Sequence, residues 1–265
     1  VSEDLVLEIA GIRVEYRLGS TQLAEMIRHE MGAFLSEKPA ELTLELESLD
    51  EKRSKRWLPL SLSAQGTEFR IDRHDMSCLI DTSSGTGSGV IADNTFAFGT
   101  FLRGLYSRLL LDREGVILHA SALIRNGKAL AFTGPSGIGK TTIALLSPEN
   151  RLITDELMIL RRAADGGVLA CGTPFIGDSL VTGLNIRKPL QRLFYLVQAP
   201  ENRVEPLSLR QAVTRALGQV MFFDRTPPQM MRLLDLFGGL LADLETCELR
   251  FLPDPTVWDL IDQLG

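Results

Sequence analysis

Eight consecutive residues, Gly134-Pro135-Ser136-Gly137-Ile138-Gly139-Lys140-Thr141, have the types and spacing needed to hold a polyphosphate. Glycines let successive backbone N–H groups converge on an anion with no side chain in the way. A helix starting near Lys140 turns its positive end toward the same point. Lys140 adds a mobile cation for the β- and γ-phosphates. The Thr141 hydroxyl, followed by Thr142, can ligate Mg2+. Downstream, "RLITDELMIL" carries Asp155 and Glu156 behind the apolar start Leu152-Ile153. One carboxylate can hold Mg2+, directly or through water, and the other can accept the proton of an attacking hydroxyl. The bland alternative is a pair of exposed acids in a turn. Upstream, "VILHASAL" places His119 in an apolar strand. Taken alone, such a histidine is a packed core residue. If its strand pairs with the loop strand, it falls toward the loop, where it could orient Asp155 or share its proton.

These groups need a strand–loop–helix setting, and the flanking sequence supplies one. "ALAF" before the loop reads as a buried strand and "TTIALL" after it as a short helix. Asn126-Gly127, between "VILHASAL" and "KALAFTG", is the strongest short hairpin signal in the chain. "RLITDELMIL" is expected as a strand beside the loop strand, carrying its acids toward the phosphates. "GVLACGTPF", "RLFYLVQ" and "CELRFLP" are further strand candidates. Leu209 to Phe223 and Gln229 to Leu244 have helical periodicity, with Pro227-Pro228 between them, and "VWDLIDQL" closes the chain as a helix. The first portion reads as short strands with two helices. Leu5, Leu7 and Ile9 alternate with polar neighbours, and Ile12, Val14 and Tyr16 follow a bend at Gly11. Leu23 to Leu35 follows a helical period, "ELTLELE", "EFRIDRHD" and "SCLID" read as strands, and Phe96 to Leu111 carries a strongly apolar helix face.

Composition sets the class. The chain has 265 residues, 45% hydrophobic and 23% charged, as in a globular protein with room for one large or two modest domains. A net charge of -6 argues against a nucleic-acid partner, which needs a basic face. Cys78, Cys171 and Cys247 are too few and too scattered for a disulfide framework or a CxxC metal site, so a reducing cytoplasm is the expected location. Val1-Ser2-Glu3-Asp4 lacks the basic start and apolar run of a secretory signal. No apolar stretch approaches the ~18 residues that span a bilayer, so no membrane partner is expected.

Together, "GVILHASAL", "GKALAFTGPSGIGKTTIAL" and "LITDE" resemble the C-terminal domain of the HPr(Ser) kinase/phosphorylase family, and in particular the looser group of HPr-kinase-related proteins found in bacteria. The resemblance covers roughly residues 113–265 and is specific from about 115 to 160. It implies an α/β fold, α+β overall. Residues 113–265 would form a mixed-sheet P-loop core of the HPr kinase/phosphoenolpyruvate carboxykinase type. A smaller α+β portion, 1–112, would pack on it and serve acceptor or partner recognition. The implied activity is an ATP- (or GTP-) and Mg2+-dependent transfer of the γ-phosphoryl group to a hydroxyl, most simply a serine of a protein or peptide, or a small molecule. By the resemblance His119 matches the family's active-site histidine, Asp155 its general base, and Glu156 a Mg2+ ligand. Asp178 in "TPFIGDS" is the candidate for a further acid on the metal, and a homo-oligomer is a further implication. Glu156 stands where the family usually has Asp. The family's "R-G-L-G" segment has no match; "TGLNIRKP" is the nearest stretch. Phosphorolysis and HPr itself as substrate are therefore not implied.

Two other readings stay open: a P-loop ATPase or GTPase switch with water as acceptor, and a non-catalytic nucleotide-binding regulatory module. A carboxykinase is disfavoured, because the chain is short and does not show the metal-binding Lys/His set of such an enzyme. Arg187, Lys188 and Arg192 could reach a phosphoryl group or an acidic acceptor, or form a solvated basic loop. "TSSGTGSG" (Thr82 to Gly89) could fold over a ligand or close a plain hairpin. "EKRSKRW" (Glu51 to Trp57) reads as a solvated basic loop. His29 and His74 have no ligand-spaced partners.

Overall fold

The computed structural model describes residues 3–49, 59–146, 149–177 and 183–264. The basic run Glu51 to Trp57 and the candidate Asp178 lie outside the described residues. The chain divides into two compact units, Val1–Leu109 with Phe222–Met230, and Leu110–Met221 with Met231–Gly265. Phe222–Met230 thus groups with the N-terminal unit although it lies far along the chain.

The first unit is built on β1 (Glu3–Ile9), β2 (Ile12–Leu18), β3 (Leu42–Leu49), β4 (Ser61–Gln65), β5 (Glu68–Arg73), β6 (Met76–Asp81) and β7 (Thr86–Ala92), in the order β1-β2-β3-β7-β6-β5-β4. The bend at Gly11 is a two-residue hairpin, with Ala10 at φ 52 and Gly11 at φ 83. Strand β3 runs parallel to both β2 and β7. The alternation read in β1 and β2 has its physical outcome here: Leu7, Ile9, Val14 and Tyr16 are buried, and the Tyr16 ring meets Phe98 edge-on at 5.1 Å. The helices α1 (Thr21–Met31) and α2 (Thr95–Leu109) supply the rest of this core through Leu23, Ile27, Phe98, Phe101 and Leu105. Ser20 caps α1 by accepting from the Leu23 amide at 3.2 Å. "TSSGTGSG" is only half loop. Thr86 to Gly89 are strand β7, and a Cβ on Gly89 would lie 2.2 Å from the Ser77 carbonyl oxygen. The glycine permits close approach to β6 rather than disorder.

The second unit contains β8 (Gly115–Arg125), β9 (Lys128–Thr133), α3 (Lys140–Leu145), β10 (Arg151–Thr154), β11 (Leu157–Arg162), β12 (Val168–Cys171), β13 (Arg187–Gln198), β14 (Arg203–Pro206), α4 (Leu209–Ala216), β15 (Val220–Met221), α5 (Pro227–Ala242, whose first four residues group with the first unit), β16 (Glu245–Phe251) and α6 (Val257–Asp262). The sheet is mixed: β9 and β16 run parallel to β13, and the other pairings are antiparallel. The pairings β8–β11–β12–β13–β9–β8 close on themselves, so two long strands, β8 and β13, change partners along their length. The β8–β9 hairpin turns through Asn126 at φ 52 and Gly127 at φ 79, as Asn-Gly favours. Phe132 stacks on Phe194 at 5.3 Å and meets Trp258 of α6 edge-on at 5.8 Å. Each such fully buried aromatic side chain contributes roughly 2 kcal/mol of transfer free energy. Arg125 ties α6 to the hairpin by a two-point contact with Asp262 at 2.8 and 2.6 Å.

The helical pattern from Leu209 does not persist to Phe223. It ends in a short 3-10 turn at Leu217–Gln219, and Val220 and Met221 pair with β8 as β15. Pro227 and Pro228 do not separate two helices but open α5, where a missing N–H costs nothing. Among the described residues no helix is long and apolar enough to cross a membrane. The three cysteines are free and buried. Burial pushes the Cys78 and Cys171 thiols up to about 12 and raises Cys247 as well. Native protein at pH 8 is therefore expected to react slowly with a thiol reagent such as dithionitrobenzoate, and at all three cysteines rapidly after unfolding in guanidinium. A fast stoichiometric thiol in the native protein would contradict this burial.

Candidate active site at the glycine-rich loop

The loop grows out of a buried strand. Strand β9 is covered along Ala129 to Thr133, and Thr133 donates its hydroxyl to the His119 carbonyl at 2.9 Å. The chain then turns through Gly134 (φ 146), Gly137 (φ 77) and Gly139 (φ 108). Two of these positions need glycine for stated reasons. Gly137 and Gly139 occupy left-handed backbone that L side chains rarely adopt, and a Cβ on Gly139 would also lie 2.8 Å from the Phe251 ring. Helix α3 begins at Lys140 and buries Ile143 and Ala144 in the core with Phe132, Phe194 and Phe251. It is only six residues long, so the loop amides carry more of the anion-binding capacity than its dipole does. Ser121 of β8 donates to the Lys140 carbonyl at 2.9 Å and anchors the first turn. The Lys140 ammonium folds back over the loop, donating to Gly134 O at 3.1 Å and Pro135 O at 3.2 Å.

The acids arrive by a different route from the one expected. "RLITDELMIL" is two strands, β10 and β11, and both pair with β8 rather than with the loop strand β9. The register shifts between Leu152 and Thr154 and resumes with Leu157 opposite His119. Asp155 and Glu156 occupy the break. Three contacts hold the break open: the Ala120 amide donates to the Glu156 carbonyl at 3.1 Å, and the Thr154 and Thr173 hydroxyls both donate to the Leu157 carbonyl, at 3.1 and 2.5 Å. Gly177 closes the other side. A Cβ there would lie 2.8 Å from the Glu156 Cβ and 3.0 Å from Asp155 Oδ2.

The result is a cavity of about 260 Å3 lined by Ser136, Gly137 and Gly139 of the loop, Lys140, Thr141 and Thr142 of α3, His119 of β8, and Asp155 and Glu156. Gly134, Pro135 and Ile138 shape the loop without lining this space. Asp155 is 1% exposed and the Glu156 side chain 36%. His119 Nε2 stands 3.6 Å from Glu156 Oε2, an ion-pair distance rather than a hydrogen bond. The carboxylate that pairs with the imidazole is that of Glu156, where the sequence pointed to Asp155. Among the described residues no three His, Cys, Asp or Glu side chains gather into a metal cluster. Arg187, Lys188 and Arg192 do not line the cavity. Arg192 is instead buried and paired with Glu245 at 2.5 Å.

Sequence reading did not find Ser121, Thr133, Thr154, Thr173 or Gly177. The four hydroxyl residues act by holding a backbone carbonyl and Gly177 by leaving room for the two acids, and neither role leaves a motif behind.

The structure is similar to one described as the HPr(Ser) kinase/phosphatase from Coxiella burnetii, at 17% identity over 48% of this chain and 88% of that one, with a TM-score of 0.25. The likeness is distant. No protein-family model and no curated protein sequence matches the chain.

Proposed function

We propose that this chain is a kinase that transfers the γ-phosphoryl group of ATP to a hydroxyl, in the first instance a serine of a protein or peptide. One observation carries the reading. Lys140 and Thr141, His119 of β8, and two acids from the break between β10 and β11 line a single cavity of about 260 Å3. That is smaller than the ~300–1,000 Å3 of pockets that enclose a whole small molecule. It suits the phosphate end of a nucleotide, with the base outside.

In this reading the loop amides and Lys140 hold the triphosphate. Thr141 and Glu156 would hold Mg2+, an arrangement in keeping with an ion that takes one or two protein ligands and leaves the rest to phosphate oxygens and water. Mg2+ bound there would offset charge developing on the phosphoryl oxygens. Asp155 takes the proton of the acceptor hydroxyl as its oxygen forms a bond to the γ-phosphorus and the bond to the ADP oxygen breaks. His119 holds the acids in place through Glu156. Most of the acceleration comes from positioning and charge stabilisation, since the transition state is loose. The His119–Glu156 pair favours a second assignment of the same parts, with Glu156 as the base and Asp155 on the metal.

The test is to incubate the chain with γ-labelled ATP, with and without Mg2+, and with a pool of serine-containing peptides or small hydroxyl compounds. Label on an acceptor is the expected outcome. Rapid release of inorganic phosphate without any acceptor would replace the kinase by an ATPase. Tight binding with no turnover would replace it by a regulatory module.

Gly177→Ala probes the support of the acids. The added methyl must displace Asp155 or Glu156, and a shift approaching 1 Å is expected to lower turnover about 10- to 100-fold. Steady-state kinetics beside a thermal melt checks this. Unchanged turnover would mean that the acids tolerate the displacement.

A further inference from the structure

The first unit contains a larger cavity that the kinase reading does not use, of about 960 Å3. One wall is the run Pro59 to Ala64, which is most of β4 and the two residues before it. The other is Phe223 to Pro227. All of these residues belong to the first unit.

Strand β4 is the end strand of its sheet. It bonds β5 on one side, and among the described residues no strand pairs with the other. Such an edge presents a row of backbone N–H and C=O groups, and proteins usually guard it with a charge, a proline or a bulge. Ser61-Leu62-Ser63-Ala64-Gln65 has no charge and no proline, and it pairs with β5 in unbroken register. Leu62 turns inward, while Ser61 and Ser63 are exposed and small.

Asp224 is a second and independent observation. It lines the same cavity and is fully buried. Its Oδ1 accepts from the Thr226 amide at 3.1 Å and the Thr226 hydroxyl at 2.7 Å. Its Oδ2 is buried and has no hydrogen-bond partner among the described residues. A buried carboxylate oxygen without a donor is costly, and a donor brought by an occupant removes that cost.

We propose that this slot binds a polypeptide segment in extended conformation. The segment adds a strand to the open edge of β4 and donates a lysine or arginine side-chain N–H to Asp224. The five residues of β4 offer an edge of about 17 Å. Backbone pairing supplies affinity and the side-chain contact supplies selectivity, as in other cases of strand addition. A polypeptide, not a compact metabolite, matches a wall made of consecutive strand residues. The proposal does not depend on the kinase reading, and its test reads binding alone.

The experiment selects a random octapeptide library on the full chain. Enriched peptides are then measured against wild type and Asp224→Asn by fluorescence anisotropy, with hydrogen exchange of the Ser61–Gln65 amides. Asparagine keeps the Thr226 contacts in shape, and a thermal melt verifies that the variant folds. The expected result is a family of mutually competing peptides with a basic residue at one position. They slow exchange along β4, bind Asp224→Asn at least tenfold more weakly, and lose binding when alternate peptide nitrogens of one phase are methylated. The proposal is overturned by a selection that enriches nothing. It is equally overturned by peptides that leave β4 exchange unchanged, or that bind Asp224→Asn as tightly as wild type. A concentration-dependent dimer that protects β4 without peptide would overturn it too, by giving the edge to a second copy of the chain. Wild-type exchange decides the matter even if the variant fails to fold.

Discussion

Asp155→Asn is expected to keep its nucleotide and lose phosphoryl transfer, with kcat falling about 100- to 10,000-fold. The substitution preserves shape at a position that is 1% exposed, so the fold and the neighbouring turn should survive it. What it removes is the capacity to take a proton. The turn itself is held by backbone contacts from Thr154, Thr173 and Ala120, none of which needs the Asp155 charge. Glu156→Gln makes the comparison decisive. If Glu156 holds Mg2+, its amide variant loses the Mg2+ dependence of nucleotide binding, while Asp155→Asn retains it. The reverse pattern would exchange the two roles, as the 3.6 Å contact between His119 and Glu156 allows. Normal turnover in Asp155→Asn would remove it from the chemistry altogether.

Lys140→Ala is expected to weaken nucleotide affinity about 10- to 100-fold, the scale of a lost hydrogen bond to a charged group. Turnover should fall further, because the ammonium also faces charge that develops only during transfer. Structure should be little affected. The lysine's contacts to Gly134 O and Pro135 O lie within the loop, while Ile143, Ala144 and the Ser121 contact hold α3. Calorimetric titration with ATP checks the affinity, and a thermal melt checks the fold. Wild-type affinity in this variant would mean that the loop does not grip phosphate.

What was legible in the sequence was local. The loop motif is contiguous, so its setting of buried strand, turn and helix could be read directly. Asn126-Gly127 announced a hairpin because both residues tolerate positive φ. The acids were read as a pair, but their strand was given the wrong neighbour. Pairing with β8 instead of β9 is a non-local choice that periodicity does not encode. For the same reason the partner of His119 is Glu156, one residue beyond the acid expected. Gly177 and Thr173 lie far from the motif and serve it without a signature of their own, Gly177 by lacking a side chain and Thr173 by donating to a backbone carbonyl. β4 was missed because Ser61-Leu62-Ser63-Ala64-Gln65 has one strongly apolar residue, which is enough for an end strand but not for a clear alternation. The helix read through Phe223 stops early because Val220 and Met221 find a strand partner in β8.

The central claim is that the glycine-rich loop holds a nucleotide polyphosphate together with Mg2+. A thermal-shift titration of the wild type with ATP, ADP and GTP, each with and without Mg2+, tests it most directly. A ligand that binds only the folded chain adds about 2.7 kcal/mol of stability at 100 times its Kd. The account predicts a saturable rise in melting temperature with a triphosphate, larger with Mg2+ than without and clearly smaller in Lys140→Ala at the same nucleotide concentration. No shift with any nucleotide, or an equal shift in Lys140→Ala, would contradict it.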